Sequence, residues 1–487
     1  MTLGGGIVRT EGSGQGYEGE RSTTWILLGL ALFVAAIGSL LGSGAVSRHI
    51  AIMSLVFIVS AYLIGRAARS RLEPWLPVLM TTAMAAKLVG SSVRYYVLEV
   101  IYQGSGDAGR YHNFAVEIAD VWRGLEVPNL ATVAFGSQGT RFIAWVTGLL
   151  YAPFEPSQLG GFFIHAFLAF VGQFFFYRAF RLACPDSRWK RYAILIFFWP
   201  TLVYWPSSIG KESFIILFLG LGSWAAAALY RRYEVRWLPL IGVAAFMVSV
   251  IRVHVAALFV GALLAGVIIE NRKSKNTIAF GRLLILIAGL AAAVPLVLGV
   301  ADEFNLELTS LSADDLEPVF ADVGDTTEQG GSSVSGGVIR GPLDIPEGIL
   351  KVLFRPLPNE ARNAQSLVAS AEGVILLGLV IWQIPAMFRN RAQLRKSPYL
   401  LLCLVYVALF IWGWSAILNL GIMARQRSLV IPFLLALIAG LGWQGDREAT
   451  ASEGVGPAVL DSSTDSGATD WQGAGRKVIT RDAQGTF

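Results

Sequence analysis

From Trp25 to Trp443 the chain alternates hydrophobic stretches of membrane-spanning length with polar connections, and every second connection is crowded with Arg and Lys. The crowded ones hold Arg66, Arg69 and Arg71; then Arg178, Arg181, Arg188, Lys190 and Arg191; then Arg231, Arg232 and Arg236; then Arg272, Lys273, Lys275 and Arg282; and last Arg389, Arg391, Arg395 and Lys396. Lys and Arg beside span ends are retained on the cytoplasmic side, so these loops are expected to face the cytoplasm. The alternate connections then face outward. They carry the unusual polar sequences GDAGRYH at 106–112, WPSSIGKE at 205–212, IRVH at 251–254, RPLPNEAR at 355–362 and ARQR at 424–427.

A chain with this pattern is expected to fold as an all-α polytopic membrane protein, because a helix satisfies its own backbone groups inside lipid. Crossing the hydrocarbon takes about twenty residues. By that rule the spans are 23–42, 49–67, 76–101, 158–181, 191–206, 211–231, 237–251, 253–269, 281–300, 367–389, 398–418 and 427–443. About twelve spans return both termini to the cytoplasm. Residues 141–157 are apolar but too short to cross, and crossing would turn the Arg178–Arg191 loop outward. That segment reads as re-entrant or interfacial, a form that survives at membrane depth only when packed in protein or lining a wet cavity. Residues 113–125 read as an interfacial amphipathic helix, with Phe114, Ile118, Val121, Trp122 and Leu125 at helical spacing.

Composition narrows the class further. Residues are 54% hydrophobic and 15% charged, against about a quarter charged for a soluble domain. The net charge of +5 comes largely from the loops rather than a soluble basic face, which argues against nucleic acid as a partner. Cys184 and Cys403 offer no disulfide framework and are expected to be free thiols. Residues 1–21 and 444–487 read as disordered polar tails around a membrane domain at 22–443, with outer loops at 102–157 and 301–366. The first tail has no signal-peptide pattern.

The outer sequences hold the candidate chemistry. Asp107 precedes the 113–125 helix, where it either caps that helix or, at the mouth of a groove, takes a proton from an acceptor hydroxyl. Arg110, Tyr111 and His112 beside it suit a phosphate or sugar. In WPSSIGKE, Pro200 and Pro206 break the incoming helix and Ser207 and Ser208 are expected to cap the outgoing one. Lys211 and Glu212 then fall in its first turn, where a cation opposes the helix dipole unless an anion binds there. Arg252 and His254 interrupt a long apolar stretch, at a cost in lipid that a role at the boundary would explain. Arg355, Arg362, Arg425 and Arg427 add cations on two further outer connections, and Arg forks bind phosphate oxygens bidentately. For any single one of these, contact with ordinary membrane lipid headgroups or structural pairing is the simpler explanation. The four His are scattered without H-x-x-H spacing, so no metal is expected to be required, although Asp107 with His112 could hold one divalent ion.

With an acid in an outer loop followed by an interfacial helix, the chain resembles polytopic GT-C-type membrane glycosyltransferases and the O-antigen polymerase and ligase group. PSSIGKE at 206–212 and RQR at 425–427 resemble short motifs in bacterial members of these groups. The acid here is single and lies in the second outer loop, and no large soluble C-terminal domain follows. The resemblance implies transfer of a sugar or glycan from a polyprenyl-phosphate or polyprenyl-diphosphate donor to a glycan or lipid acceptor, at the outer face of the plasma membrane and without a cofactor. Asp107 would be the general base, with Glu212 as the alternative. Lys211, Arg252, Arg425 and Arg427 would hold the carrier phosphate. A transporter or flippase of the same anionic lipids would use the same cations without a base.

Overall fold

The computed structural model describes residues 29–30, 33–34, 45–104, 106–129, 136–153, 155–185, 187–271, 280–303, 313–327 and 336–442. The proposed span 23–42 lies mostly outside these residues, as do the tails 1–21 and 444–487 and the Lys273–Lys275 stretch. The described residues form helices and no strand. They include α1 (Ala45–Ala68), α2 (Leu76–Tyr96), α3 (Asp107–Arg123), α4 (Gln138–Tyr151), α5 (Gln158–Ala183), α6 (Trp189–Phe198), α7 (Pro200–Tyr204) and α8 (Lys211–Arg232). After them come α9 (Leu238–Ile251), α10 (Val253–Asn271), α11 (Phe280–Glu303), α12 (Ala313–Thr327), α13 (Ile345–Phe354), α14 (Ala364–Arg389), α15 (Ala392–Lys396), α16 (Pro398–Trp414), α17 (Leu420–Gln426) and α18 (Ile431–Leu437).

Six helices among the described residues are long and apolar enough to cross a membrane: Arg48–Ala68, Leu76–Ile101, Gln158–Ala183, Lys211–Arg231, Arg282–Glu303 and Ala364–Arg389. A seventh crossing is available if Leu420–Leu429 and Ile431–Gly442, bent by 58°, form one broken span. The protein is therefore an all-α membrane protein, but the expected count of twelve is not reached by length. The stretches 237–251, 253–269 and 398–418 are helical yet short, and 191–206 is broken. Large apolar side chains on α11 and α14 stay exposed, among them Leu290, Leu298, Ile375 and Trp382, as lipid-facing surface requires.

The centre is the pair α5 and α8. A Cβ on Gly172 would collide with the Ile216 carbonyl, and one on Gly220 with the Gly172 carbonyl. Only glycine at both positions lets the two backbones touch, the small-residue device of membrane helix packing. At one end of the pair His165 Nδ1 lies 2.7 Å from Ser213 Oγ. Near the other end of α5, buried Glu73 pins the turn between α1 and α2, accepting from the Tyr177 hydroxyl and pairing with Arg181 at 2.9 Å.

The broken stretch has a local cause. Pro206 has no N–H to give the Leu202 carbonyl one turn back. Lys87, buried within the α2 span, supplies the missing donor, its Nζ lying 2.6 Å from Leu202 O. The break leaves the chain extended at Ser208 and Gly210, and α8 starts at Lys211. Ser207 and Ser208 are therefore not its caps. The N-cap position is Gly210, and Ser208 Oγ instead accepts from Arg94 Nε at 3.2 Å.

Residues 141–157 do not form an irregular re-entrant segment. Most of them belong to α4, a helix that rises roughly 21 Å at 1.5 Å per residue, short of the roughly 30 Å hydrocarbon core. It pairs with α3 as a hairpin. The buried stripe of α3 is Ala108, Tyr111, Ala115, Ile118 and Ala119. Of the expected stripe, Ile118 is buried against Ala144 of α4 with Phe114 and Trp122 packed beside it, whereas Val121 and Leu125 are exposed, and the small Ala108, Ala115 and Ala119 complete the buried face. Cys184 and Cys403 are free, as expected, and both are buried.

Candidate functional site

Glu212 is the hub of the site. It lies in the first turn of α8, buried, and both carboxylate oxygens are taken. Arg252 Nη2 donates to Oε1 at 3.2 Å and Arg425 Nη2 to Oε2 at 2.9 Å. Arg425 extends its other nitrogen to Asp107 Oδ2 at 3.3 Å, and Arg110 holds Asp107 Oδ1 at 2.6 Å. Arg252 also donates to the Gln426 side chain. The result is a chain of alternating charge, Arg252–Glu212–Arg425–Asp107–Arg110, drawn from four separate stretches of sequence.

Each member is placed by a local break. Arg252 is the single extended residue between α9 and α10, which turns its side chain away from both helix axes. Asn419 caps α17 by accepting from the Gly421 and Ile422 amides at 2.9 and 3.1 Å, and that short helix presents Arg425 and Gln426. Gly210 leaves room beside Glu212. A Cβ there would lie 3.3 Å from Glu212 Oε2 and 3.5 Å from Arg425 Nη2. Lys211 extends to Ser137 Oγ at 3.2 Å, immediately before α4. The N-termini of α3, α4 and α8 thus gather at one place, and each contributes partial positive charge.

Asp107 is not the helix cap. Gly106 occupies the N-cap position, and the carboxylate of Asp107, in the first turn, is 47% exposed against 3% for the side chain of Glu212. Asp107, Arg425, Arg94 and Trp205 line a cavity of about 330 Å³ with Tyr102 and Gln365. The Arg94 guanidinium sits 4.4 Å from the Trp205 ring centre and 4.9 Å from that of Tyr204, a cation–π seat that fixes it at the cavity wall. Arg94 was not legible as a site residue because it is embedded in the α2 span. His165 was also missed. Its Nε2 faces Thr147 Oγ1 at 3.1 Å, and its Nδ1 faces Ser213 and the Gly210 amide, so it ties α4 and α5 to the start of α8, where Glu212 lies.

Several expected members lie elsewhere. His112 Nδ1 contacts the Tyr151 hydroxyl at 2.9 Å in the seam between α3 and α4, where burial holds its pKa below the ordinary histidine value. With His112 turned away, Asp107 has no imidazole partner for an ion, and among the described residues no group of three His, Cys, Asp or Glu side chains could hold a metal. Tyr111 stays near the hub, close to Thr140, its phenol raised in pKa first by burial. His254 pairs with Glu303 at 2.9 Å. Arg355 closes on Glu360 within its own loop, with Nε donating to both carboxylate oxygens at 2.8 and 3.0 Å. Arg362 is exposed at the start of α14, its amide 3.0 Å from Ser366 Oγ. Arg427 is buried and donates to the Arg355 carbonyl rather than joining Arg425. Lys211, Arg252 and Arg425 therefore converge, whereas Arg355, Arg362, Arg427 and both expected histidines do not join the relay. No family model, curated protein or solved structure matches the chain.

Proposed function

We propose that the protein is a membrane-embedded glycosyltransferase or polysaccharide polymerase that draws its sugar from a polyprenyl-phosphate or polyprenyl-diphosphate carrier. The observation that carries this reading is the excess of cations at the hub. Arg94, Arg110, Lys211, Arg252 and Arg425 stand around Glu212 and Asp107, where three helices begin, and still outnumber the acids when Glu303, within electrostatic reach of Arg252 and Lys211, is included. Uncompensated positive charge beside lipid is costly. A phosphate or diphosphate would offset it, and helix N-termini with arginine forks are the groups that recognise one.

In the proposed reaction an acceptor hydroxyl oxygen attacks the anomeric carbon. The bond from that carbon to the carrier-phosphate oxygen breaks, and the electron pair leaves with the phosphate. The hydroxyl proton passes to Asp107, which is reachable from the cavity. Arg425, Arg252, Arg94 and Lys211 stabilise the charge that builds on the leaving group. Glu212, its side chain only 3% exposed and set behind Arg252 and Arg425, is out of reach of an acceptor in the cavity that Asp107 lines. Its part is to hold Arg252 and Arg425 at fixed positions. The acceptor is a glycan or a lipid, and the step needs no cofactor. The charge bias of the loops supports the outer face of the plasma membrane as the side for this chemistry.

A flippase or transporter of the same lipids is the second reading. The breaks at Pro200 and Val430 favour it, as does Glu372 buried within a span, since discontinuous helices and intramembrane acids are common in transporters. Reconstituted protein given polyprenyl-linked sugar donors and a glycan acceptor separates the two. Release of free carrier phosphate together with acceptor extension is expected. Transbilayer movement of intact donor, without release, would overturn the enzyme reading.

A further inference from the structure

A second cationic site lies at the other end of α5 and α8. On α8, Glu212 and Arg231 are separated by roughly 28 Å of helix rise, about the thickness of the hydrocarbon core. The two helices touch at Gly172 and Gly220, and crossing helices diverge on either side of their contact. Where they have diverged, Arg178, Arg181, Trp189, Trp224, Arg231 and Arg236 line a cavity of about 570 Å³.

The lining separates into two layers. Toward the end of the pair stand the four arginines. Arg181 is engaged by Glu73 at 2.9 Å and Arg236 by Glu234 at 2.6 Å. Neither Arg178 nor Arg231 forms an ion pair among the described residues: Arg178 contacts the Ala68 carbonyl at 3.4 Å, and the nearby Glu73 is engaged by Arg181 and Tyr177. Deeper lies an aromatic wall. Trp224 meets the Trp237 ring edge-on at 5.3 Å and stacks on Phe175 at 5.5 Å. Indoles at this level mark a membrane–water interface.

We infer that the cleft between α5 and α8, on the face opposite Glu212, is a binding site for the phosphate headgroup of an anionic membrane lipid, with Arg178 and Arg231 as its principal ligands. Basic pockets between membrane helices are suited to such headgroups. The phosphate chemistry alone would also admit a soluble phosphate ester. The aromatic wall leading from the arginines to Phe175 favours a lipid, because a soluble ester has no use for an apolar path into the membrane. The site is independent of the reading proposed for the Glu212 hub.

Native mass spectrometry of delipidated protein tests this with phosphatidylglycerol, phosphatidylcholine and glycerol 3-phosphate as probes. The double variant Arg178→Ala/Arg231→Ala is compared with Arg389→Ala/Arg391→Ala, which removes the same charge from exposed positions at the end of α14. Phosphatidylglycerol is expected to bind the wild type in preference to phosphatidylcholine. The first double variant should weaken its tightest binding event by about 30-fold, from two contacts at the usual strength of a basic residue near an anionic surface. The control should change it by less than about threefold. Equal losses in the two variants would reduce the site to diffuse attraction and overturn the proposal. So would glycerol 3-phosphate binding as tightly as the lipid, or no preference between the lipids. Should the first double variant fail to fold, Arg231→Gln at its exposed position reads one contact, with an expected loss of about fivefold and the same overturning outcome if binding is unchanged.

Discussion

Glu212 and Arg425 stand 213 residues apart in the chain and meet at 2.9 Å, carboxylate to guanidinium, with Arg252 on the other carboxylate oxygen. One buried acid thus holds two arginines from different helix junctions against each other's repulsion. These two contacts join the start of α8, the corner between α9 and α10, and the end of α17. The hub is therefore also a structural junction.

Removing that acid alone should be severe. Glu212→Gln leaves Arg252 and Arg425 facing each other, and breaking a buried ion pair from one side typically costs about 3–5 kcal/mol. The expected outcome is a large fall in melting temperature, measured by fluorescence-detected chromatography after heating. Glu212→Gln combined with Arg252→Gln should lose less than the sum of the two single changes, because the stranded charge is gone. Additive losses would mean that Arg252 and Glu212 do not act as a pair.

Parts of this hub were legible in the sequence, for reasons that can be named. Lys211, Arg252 and Arg425 are charges at the ends of apolar runs, where only pairing or water makes them affordable. Glu212 was legible beside Lys211, but its two partners were not, since both lie far along the chain. Arg94, Lys87 and His165 lie inside apolar spans, away from the polar connections, although a charge within a span is itself a signal. His112 and Arg355 misled because their partners, Tyr151 and Glu360, satisfy them locally. The count of twelve spans is not confirmed, because 191–206 is broken near proline and 237–251, 253–269 and 398–418 form helices shorter than a full crossing. Apolar length in sequence cannot distinguish a crossing from a bent or half-length segment.

The glycine contact at the centre predicts a steep packing penalty. In Gly172→Ala the new methyl meets the Ile216 backbone, which cannot rotate away as a side chain would. Overpacking of this kind costs about 1–3 kcal/mol. Ala at Gly242, where nothing lies within 4 Å of the added Cβ, is the matched control and should be nearly neutral. Equal melting temperatures for the two variants would show that α5 and α8 do not pack through Gly172.

The Arg355–Glu360 pair gives a pH signature away from the spans. Hydrogen bonding from Arg355 is the largest influence on Glu360 and holds its carboxyl below the usual range. A depressed carboxylate pKa contributes stability above the unfolded value, about 4.3, and loses it as pH falls through the lower folded value. At neutral pH Glu360→Gln should therefore melt below the wild type, by an amount on the order of 1 kcal/mol. The gap should close as the pH drops from about 4.3 downward. An offset constant between pH 7 and pH 3 would remove the pair as its cause.

The charge pattern predicts sidedness. The wild-type thiols Cys184 and Cys403 are buried, so a single introduced Cys reports with little background. In intact cells Glu126→Cys, in the exposed turn after α3, should react with a membrane-impermeant maleimide, whereas Arg188→Cys should react only after permeabilisation. The opposite pattern would invert the topology and move the Glu212 hub to the cytoplasmic side.

Asp107→Asn separates the candidate base from every other part of the hub. The change keeps size and removes proton affinity and one negative charge. Asp107 is 47% exposed, so the loss of its contacts to Arg110 and Arg425 should alter stability by no more than about 1 kcal/mol. Turnover should fall much further, by about 10²–10⁴-fold, the usual contribution of a general base. Binding of the donor should hold or tighten, because Arg425 loses a competing anion and keeps Glu212. The assay is carrier-phosphate release at saturating donor, with melting temperature as the control for folding. Turnover within a few-fold of the wild type would remove Asp107 as the base. Because Glu212 is buried away from the cavity, that result would also leave the hub without an available base and turn the balance toward transport.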